Sequence, residues 1–248
     1  MEFTSAQWVA IVAIFVWTGL VRTGIGFGGA ALGLPLLLLV RDDPLLFLPV
    51  IGTHLLVFTT LTAAGRLKHI DWGFVKHSMG WMILPKLAGV IGLLSLPNTW
   101  MAIFVFAVSV IYAISWIVQH EIRAHSPWVD RALLLTGGYV SGASLVGAPL
   151  IAAVAIRHVP LNAYRDTLFV LWFLLVTIKM SAFVAADVDL HLDWALLLLA
   201  PAAIGHVLGL RLHRILIGSD SARVKRYLGV GLLLVSLAGL AQTLWRAH

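Results

Sequence analysis

Long apolar segments, interrupted only by short charged loops, run through the whole sequence and decide what this chain can fold into. About 20 consecutive apolar residues are needed for a helix to cross the roughly 30 Å hydrocarbon core of a bilayer. Hydrophobic residues make up 60% and charged residues 11% of the chain, whereas soluble domains carry about 25% charged residues. The sequence therefore predicts an all-α polytopic membrane protein that is surrounded by the lipid bilayer.

The predicted membrane segments include two pairs that are separated by glycine-rich breaks. The segments are 7–21, 25–40, 44–63, 74–95, 98–118, 131–141, 143–157, 164–186, 194–215 and 227–245. Several members of the pairs 7–21/25–40 and 131–141/143–157 are too short to span a bilayer. Each pair is either two crossings or a re-entrant hairpin whose tip lies inside the membrane, and the sequence leaves both alternatives open.

Two glycine-rich, proline-terminated stretches repeat at a fixed distance, because residues 24–36 return as residues 138–150. At an offset of 114, the matching positions are Gly24, Gly28, Gly33, Pro35 and Leu36 with Gly138, Gly142, Gly147, Pro149 and Leu150. Two echoes follow in the same order: His69–Trp72 with His191–Trp194, and Pro85/Gly89 with Pro201/Gly205. We therefore predict a duplication, with a first repeat at 1–122 and a second at 123–248. Such duplications are typical of transporters, whose sites lie at the repeat interface.

Loop charges predict that the second repeat is inverted relative to the first. One side holds the basic loops within 66–76, 123–131, 157–165 and 211–226, and the other holds loop 41–43, the turn at 97–98 and the acidic loop 187–193. This split follows the positive-inside rule and places both termini outside. A parallel duplication would put a basic and an acidic loop on one side, although charge counts in short loops are noisy. Each inverted repeat would be a glycine-broken hairpin or helix pair plus three transmembrane helices.

A glycine-rich break can bind an anion through its backbone, because it frees N–H groups beside the partly positive N-terminus of the next half-helix. We assign to such a site Gly24, Gly26, Gly28, Gly29 and Pro35 from the first stretch and Ser141, Gly142, Ser144 and Pro149 from the second. The two serines add hydroxyl donors. The alternative is close helix packing through small residues, and the repetition favours binding.

Cationic and titratable side chains lie deep in the predicted segments, with no acidic side chain at the same depth. They are Lys86, Lys179, His54 and His206, and Arg22 lies just before the first stretch. Charge inside a membrane is costly and usually functional, so this imbalance favours an anionic substrate, with Arg22 or Lys179 supplying charge.

Each of these side chains also has a structural interpretation. The lysines can reach the membrane surface with their ammonium groups, which is the favoured interpretation for Lys86, and Arg22 can be an interfacial anchor. His54 and His206 can form helix–helix hydrogen bonds, or they can couple transport to protons.

Several classes of protein are excluded. The chain has no cysteine, which excludes disulfides and thiolate metal sites. It contains no Gly-x-Ser-x-Gly, His-Glu-x-x-His or Walker motif, and its charges form no nucleic-acid-binding arm. We expect no enzymatic activity, no cofactor, no metal and no nucleic-acid partner.

The stretches Gly24-Ile-Gly-Phe-Gly-Gly…Pro35 and Ser141-Gly-Ala-Ser-Leu-Val-Gly-Ala-Pro149 resemble those of the TauE/SafE family of membrane transporters, as do the chain length and the duplication. The resemblance implies a bacterial-type, multi-pass inner-membrane exporter of sulfite, a sulfonate or a related organic anion. The Ser-Gly-Ala-Ser segment departs from a fuller glycine run, which leaves the anion open.

The predicted function is a secondary transporter that works by alternating access, with the anion between the two stretches. The alternatives are an anion channel and a non-transporting accessory protein. The expected partners are the anion and the lipids, and a homodimer is an open alternative. The sequence does not decide between a driving force from the membrane potential and one from protons.

Overall fold

Helices account for nearly all of the chain in the computed structural model, which describes residues 3–25, 29–63, 65–119, 125–216 and 221–247. This part of the chain contains ten α-helices, a 3-10 helix at Leu67–His69 and no strand. The α-helices are α1 (Ser5–Ile25), α2 (Gly29–Val40), α3 (Pro44–Ala63), α4 (Trp72–Ser95), α5 (Asn98–Ile117), α6 (Pro127–Ser144), α7 (Ala148–His158), α8 (Leu161–Ala185), α9 (Leu192–Leu216) and α10 (Ser221–Ala247). The predicted repeat boundary at 122/123 lies outside the described residues.

Seven of the described helices are long and apolar enough to cross a membrane: α1, α3, α4, α5, α8, α9 and α10. This confirms the predicted all-α polytopic architecture. The returning arms of the glycine-broken pairs are shorter, with 12 residues in α2 and 11 in α7. At 1.5 Å per residue these arms reach only about 18 and 17 Å. Because a bilayer core measures about 30 Å, their lengths favour re-entrant hairpins over pairs of crossings.

Both breaks come later in the chain than the apolar pattern predicts. The predicted segments place them at 22–24 and at 142, but α1 continues to Ile25 and α6 continues to Ser144, so these two positions are wrong. Glycine weakens a helix by about 1 kcal/mol relative to alanine. Gly24 and Gly142 nevertheless lie inside helices, at points where another helix approaches the backbone closely. These two glycines therefore mark helix contacts, and each helix ends further on.

The chain divides into two compact units, each built from several separate stretches of sequence. Unit 1 is Met1–Phe47, Pro97–Glu121 and Asp193–His248, and unit 2 is Leu48–Leu96 and Ile122–Leu192. Unit 1 contains α1, α2, α5, α9 and α10, and unit 2 contains most of α3 together with α4, α6, α7 and α8. Each unit thus combines helices from both predicted repeats. The repeats at 1–122 and 123–248, and the inversion of the second one, stay predictions.

In unit 1, α1 and α9 pack with backbone against backbone. A Cβ atom on Gly205 of α9 would overlap with the carbonyl oxygen of Val16, and one on Gly19 of α1 would overlap with the carbonyl oxygen of Ala202. Only glycine leaves room for a neighbouring backbone at such points. The crossing therefore depends on one glycine from each helix.

The same kind of crossing joins α4 and α6 in unit 2. A Cβ atom on Gly89 of α4 would overlap with the carbonyl oxygen of Tyr139, and one on Gly142 of α6 would overlap with the carbonyl oxygen of Lys86. Gly89 and Gly205 are the glycines of the two Pro-x-x-x-Gly echoes, so the repeated motif has the same packing role in both units. This recurrence favours the predicted duplication.

One end of unit 1 gathers two of the loops that the charges assign to the outside, 41–43 and 97–98. The rings of Trp8, near the start of α1, and Trp194, at the start of α9, lie 5.4 Å apart. Asn98 Nδ2 donates a hydrogen bond to Asp43 Oδ1 at 3.1 Å. Burial raises the pKa of Asp42, which lies beside the C-terminal end of α10. These contacts agree with the predicted location of both chain ends beside the loops at 41–43 and 97–98.

One end of unit 2 gathers basic loops in the same way. Asp130, at the start of α6, accepts two hydrogen bonds from Arg157 Nη1 at the end of α7, at 2.8 and 3.0 Å. Arg66 Nη1, in the loop before α4, lies 3.8 Å from Asp166 Oδ1 at the start of α8. Three of the four loops that the charges assign to the inside, those within 66–76, 123–131 and 157–165, therefore have neighbouring residues within this unit.

Replacing a crossing glycine by alanine is expected to destabilise the protein. Gly89→Ala and Gly205→Ala each add a methyl group against a backbone oxygen, and such overpacking typically costs about 1–3 kcal/mol. Gly80→Ala and Gly231→Ala are matched controls, because nothing lies within 4 Å of a Cβ atom at either position. We expect the thermal midpoint in detergent to fall for the first pair and to hold or rise for the controls. Equal midpoints in all four variants would contradict the backbone crossing.

Candidate functional site

Two buried lysines meet the C-terminal end of α6 in unit 2. Lys86 Nζ, from α4, donates to the backbone oxygen of Ser141 at 3.1 Å and to its hydroxyl oxygen at 3.0 Å. Lys179 Nζ, from α8, donates to the backbone oxygen of Gly142 at 2.6 Å. Both lysines are 0% exposed. The structure therefore brings together Ser141, Gly142 and Lys179, as the sequence predicts, and adds Lys86.

The lysines bind at the end of a helix, where the Ser141 carbonyl also accepts a hydrogen bond from Leu145 N at 3.1 Å and the carbonyls that follow lie in the last turn. The last four carbonyls of an α-helix lack intrahelical partners and carry partial negative charge, which favours cations there. The residue after α6, Leu145, has φ 61°, in the left-handed region, where a non-glycine residue is strained. This residue ends α6 and reverses the chain.

The chain then returns against α6 as α7. Gly147 precedes α7 as its N-cap, and Pro149 lies in the first helical turn, where proline costs no hydrogen bond. A Cβ atom on Gly147 would overlap with the carbonyl oxygen of Gly137 and would lie 2.8 Å from the backbone nitrogen of Ser141. The N-terminus of α7 is therefore next to the residue that Lys86 holds. Ser144 is 0% exposed, and its hydroxyl donates to the backbone oxygen of Val140 at 2.9 Å.

Carboxylates do not compensate the two lysines in the described part of the chain. The buried acids Asp130 and Asp166 form their ion pairs with Arg157, His158 and Arg66. The ring centroid of Phe183 lies 5.4 Å from Lys179 Nζ.

Lys86 is the residue that sequence reasoning missed, because the favoured interpretation takes its ammonium group to the membrane surface. Its complete burial contradicts that interpretation. The sequence does contain one signal for Lys86. It directly follows Pro85 in the Pro-x-x-x-Gly motif, whereas the second copy of the motif has the apolar residue Ala202 at this position.

The site residues of the first stretch belong to unit 1, where close packing dominates. Arg22 is half-buried in the last turn of α1, and a Cβ atom on Gly29 would lie 2.9 Å from the Cβ atom of Arg22. A Cβ atom on Gly24 would lie 3.0 Å from the Leu212 side chain of α9. Pro35 is buried inside α2. Gly26 and Gly28 lie outside the described residues, and a role of this stretch in anion binding stays a prediction.

The two histidines are in different environments. His206 Nδ1 of α9 lies 2.6 Å from Thr23 Oγ1 of α1, which is the helix–helix hydrogen bond of the alternative interpretation. His54 is 3% exposed within α3. Proton coupling by either histidine stays a prediction. No group of three or more His, Asp or Glu residues that could hold a metal ion is found among the residues that the structure describes.

These features define a multi-pass α-helical membrane protein with helix breaks and buried cations. The model of the family "Sulfite exporter TauE/SafE" matches residues 11–239, and the chain belongs to this family. Its members are membrane transporters that export sulfite and related anions, and they are not enzymes. Among curated proteins and solved structures, no match to the chain reaches significance.

Replacing either lysine by methionine is expected to leave the thermal midpoint unchanged or to raise it. Removing a buried charge that has no carboxylate partner is favourable, and this gain offsets the cost of about 1–3 kcal/mol for a carbonyl oxygen that loses its donor. Met82→Ala is a matched control on α4, because Met82 is also 0% exposed and its truncation leaves a cavity that costs about 2–5 kcal/mol. If Lys86→Met or Lys179→Met lowers the midpoint as far as Met82→Ala does, that lysine mainly stabilises the fold, which would contradict this expectation.

Proposed function

We propose that the protein is a secondary transporter that exports a small anion, such as sulfite, a sulfonate or a related organic anion, across the bacterial-type inner membrane by alternating access. One observation carries this proposal: two fully buried lysines, Lys86 and Lys179, converge on a helix break without a carboxylate partner among the described residues. Membership of the family supports the same function.

The energetics of buried charge favour an anion at this site. A single charged side chain near the middle of a bilayer costs at least about 2.5–3.5 kcal/mol. The carbonyl oxygens of Ser141 and Gly142 compensate the two ammonium groups only in part, because they are dipoles and not charges. A small oxyanion would supply the negative charge that these dipoles lack, and the N-terminus of α7 beside Ser141 would add backbone donors.

The helix break also supplies a conformational element. Broken helices near the midplane are a recurring feature of secondary transporters, in which one part of the fold rocks against another around the site. In this chain the break lies between Ser144 and Ala148. Both lysines are inaccessible in the present conformation, as an occluded state requires.

The membrane potential suffices to drive export. An inside-negative potential of 100 mV supplies about 2.3 kcal/mol for each negative charge that leaves, which corresponds to a concentration ratio of about 50. Proton coupling through His54 or His206 is the alternative, and pH gradients imposed without a potential distinguish the two driving forces.

Flux of labelled sulfite from proteoliposomes tests the proposal. Hydrogen bonds to charged groups contribute about 1.5–3 kcal/mol, so we expect Lys86→Met and Lys179→Met to weaken saturable sulfite transport by about 10- to 100-fold. Arg22→Met tests the predicted contribution of the first stretch. Lys76→Met is the matched control, because Lys76 is exposed on α4 and its replacement should leave transport unchanged.

Three outcomes would contradict the proposal. Absence of flux under any gradient, from protein shown to be folded, would exclude sulfite transport. Conductance that does not saturate would indicate an anion channel. Absence of both flux and stabilisation by anions would indicate an accessory protein.

A further inference from the structure

The placement of the two lysines also bears on the charge of the anion that the site would bind. We propose that Lys86 and Lys179 together select a doubly charged anion over a singly charged anion of the same shape. This inference rests on the proposed function, since it concerns the same site.

The first argument is the placement of the two charges. The acceptors of Lys86 and Lys179 are the backbone oxygens of consecutive residues, Ser141 and Gly142. Both lysine side chains are fully buried. A ligand that approaches this end of α6 therefore meets two positive charges at once.

The second argument is the charge balance at the break. The C-terminus of α6 contributes about −0.5 and the N-terminus of α7 about +0.5 elementary charge. Both helix ends are present, because Gly147 at the start of α7 packs against Ser141 near the end of α6. Their contributions cancel, and no described carboxylate pairs with either lysine. With both lysines protonated, the site carries about two positive charges, which a dianion neutralises and a monoanion neutralises by half.

The third argument concerns hydrogen bonding. An ammonium group has three donors. Lys86 uses two of them for Ser141, and Lys179 uses one for Gly142. Each lysine therefore keeps at least one N–H donor. An oxyanion with several acceptor oxygens can accept hydrogen bonds from both lysines. Because both lysines are sealed in this conformation, the α6–α7 hairpin has to shift before the anion enters.

A purely structural explanation makes a different prediction. In some transporters the C-terminal ends of half-helices bind a cation, and the two lysines could serve simply as built-in cations for α6. A structural role of that kind does not depend on the charge of a bound anion. Anion-charge selectivity therefore separates the two explanations.

Sulfate and methanesulfonate are suitable probes, because both are tetrahedral around sulfur and differ mainly in one oxygen anion against one methyl group. Each would compete with labelled sulfite in proteoliposomes that contain wild type, Lys86→Met, Lys179→Met, Lys86→Arg, Lys179→Arg or the control Lys76→Met. The measured quantity is the half-inhibitory concentration of methanesulfonate divided by that of sulfate. Sulfate costs more free energy to dehydrate than methanesulfonate, and this difference affects the ratio equally in every variant. The informative result is therefore the change in the ratio between variants.

We expect the ratio to fall about tenfold or more in both methionine variants, which corresponds to one lost charge-assisted hydrogen bond of at least about 1.5 kcal/mol. Inhibition by methanesulfonate should change less than threefold. Both arginine variants and Lys76→Met should keep the wild-type ratio. For a methionine variant without measurable flux, the shift of the thermal midpoint by each anion gives the same ratio.

An unchanged ratio in folded methionine variants would overturn the inference, and so would an equal fall in the arginine variants. With saturable wild-type sulfite flux, either result leaves the proposed function intact and refutes only the selectivity. Absence of wild-type flux would instead refute the proposed function itself.

Discussion

The burial of two lysine side chains at the carbonyl end of α6 is the constraint around which the candidate site in unit 2 is arranged. Lys86 comes from α4 and Lys179 from α8, so a single helix end joins three helices. A helix that ends inside a membrane needs partners for its last carbonyls, since no water is available there. The lysines donate hydrogen bonds to two carbonyls near this end, but no carboxylate among the described residues pairs with either lysine.

The glycine crossing makes this arrangement geometrically accessible. Because Gly142 has no side chain, the backbone of α4 approaches α6 closely at Lys86. The same residue of α4 then reaches Ser141 with its ammonium group. Helix packing and anion binding, which the sequence presents as alternatives for the glycine-rich stretches, are therefore compatible in unit 2: the glycine sets the distance, and the lysines supply the charge.

Sequence reasoning was most successful where the bilayer restricts the chain. The bounds of the apolar segments anticipated the ten described helices, because burial in lipid requires long apolar helices. It was less successful at the breaks and at Lys86. Gly24 and Gly142 look like helix breakers in the sequence, but the Leu212 side chain occupies the space beside Gly24 and the backbone of α4 occupies the space beside Gly142.

Whether a lysine reaches the membrane surface or faces other helices depends on tertiary contacts, which the apolar pattern of one segment does not contain. The burial of Lys86 therefore required the structure. The same holds for His206, whose partner Thr23 is 183 positions away in the chain. In contrast, the cationic character of the buried set followed from composition and depth alone.

The double attachment of α6 has a mechanical consequence. Backbone contact with α4 and side-chain bonds from α4 and α8 hold residues 141 and 142 from two directions. The last turn of α6 is thereby the fixed part of the hairpin. Rotation about the backbone of Leu145, where the left-handed conformation already ends the helix, would move α7 without disturbing either lysine contact. In such a rotation the strained leucine would be the pivot, and the lysine-bound helix end would be the fixed support for α7.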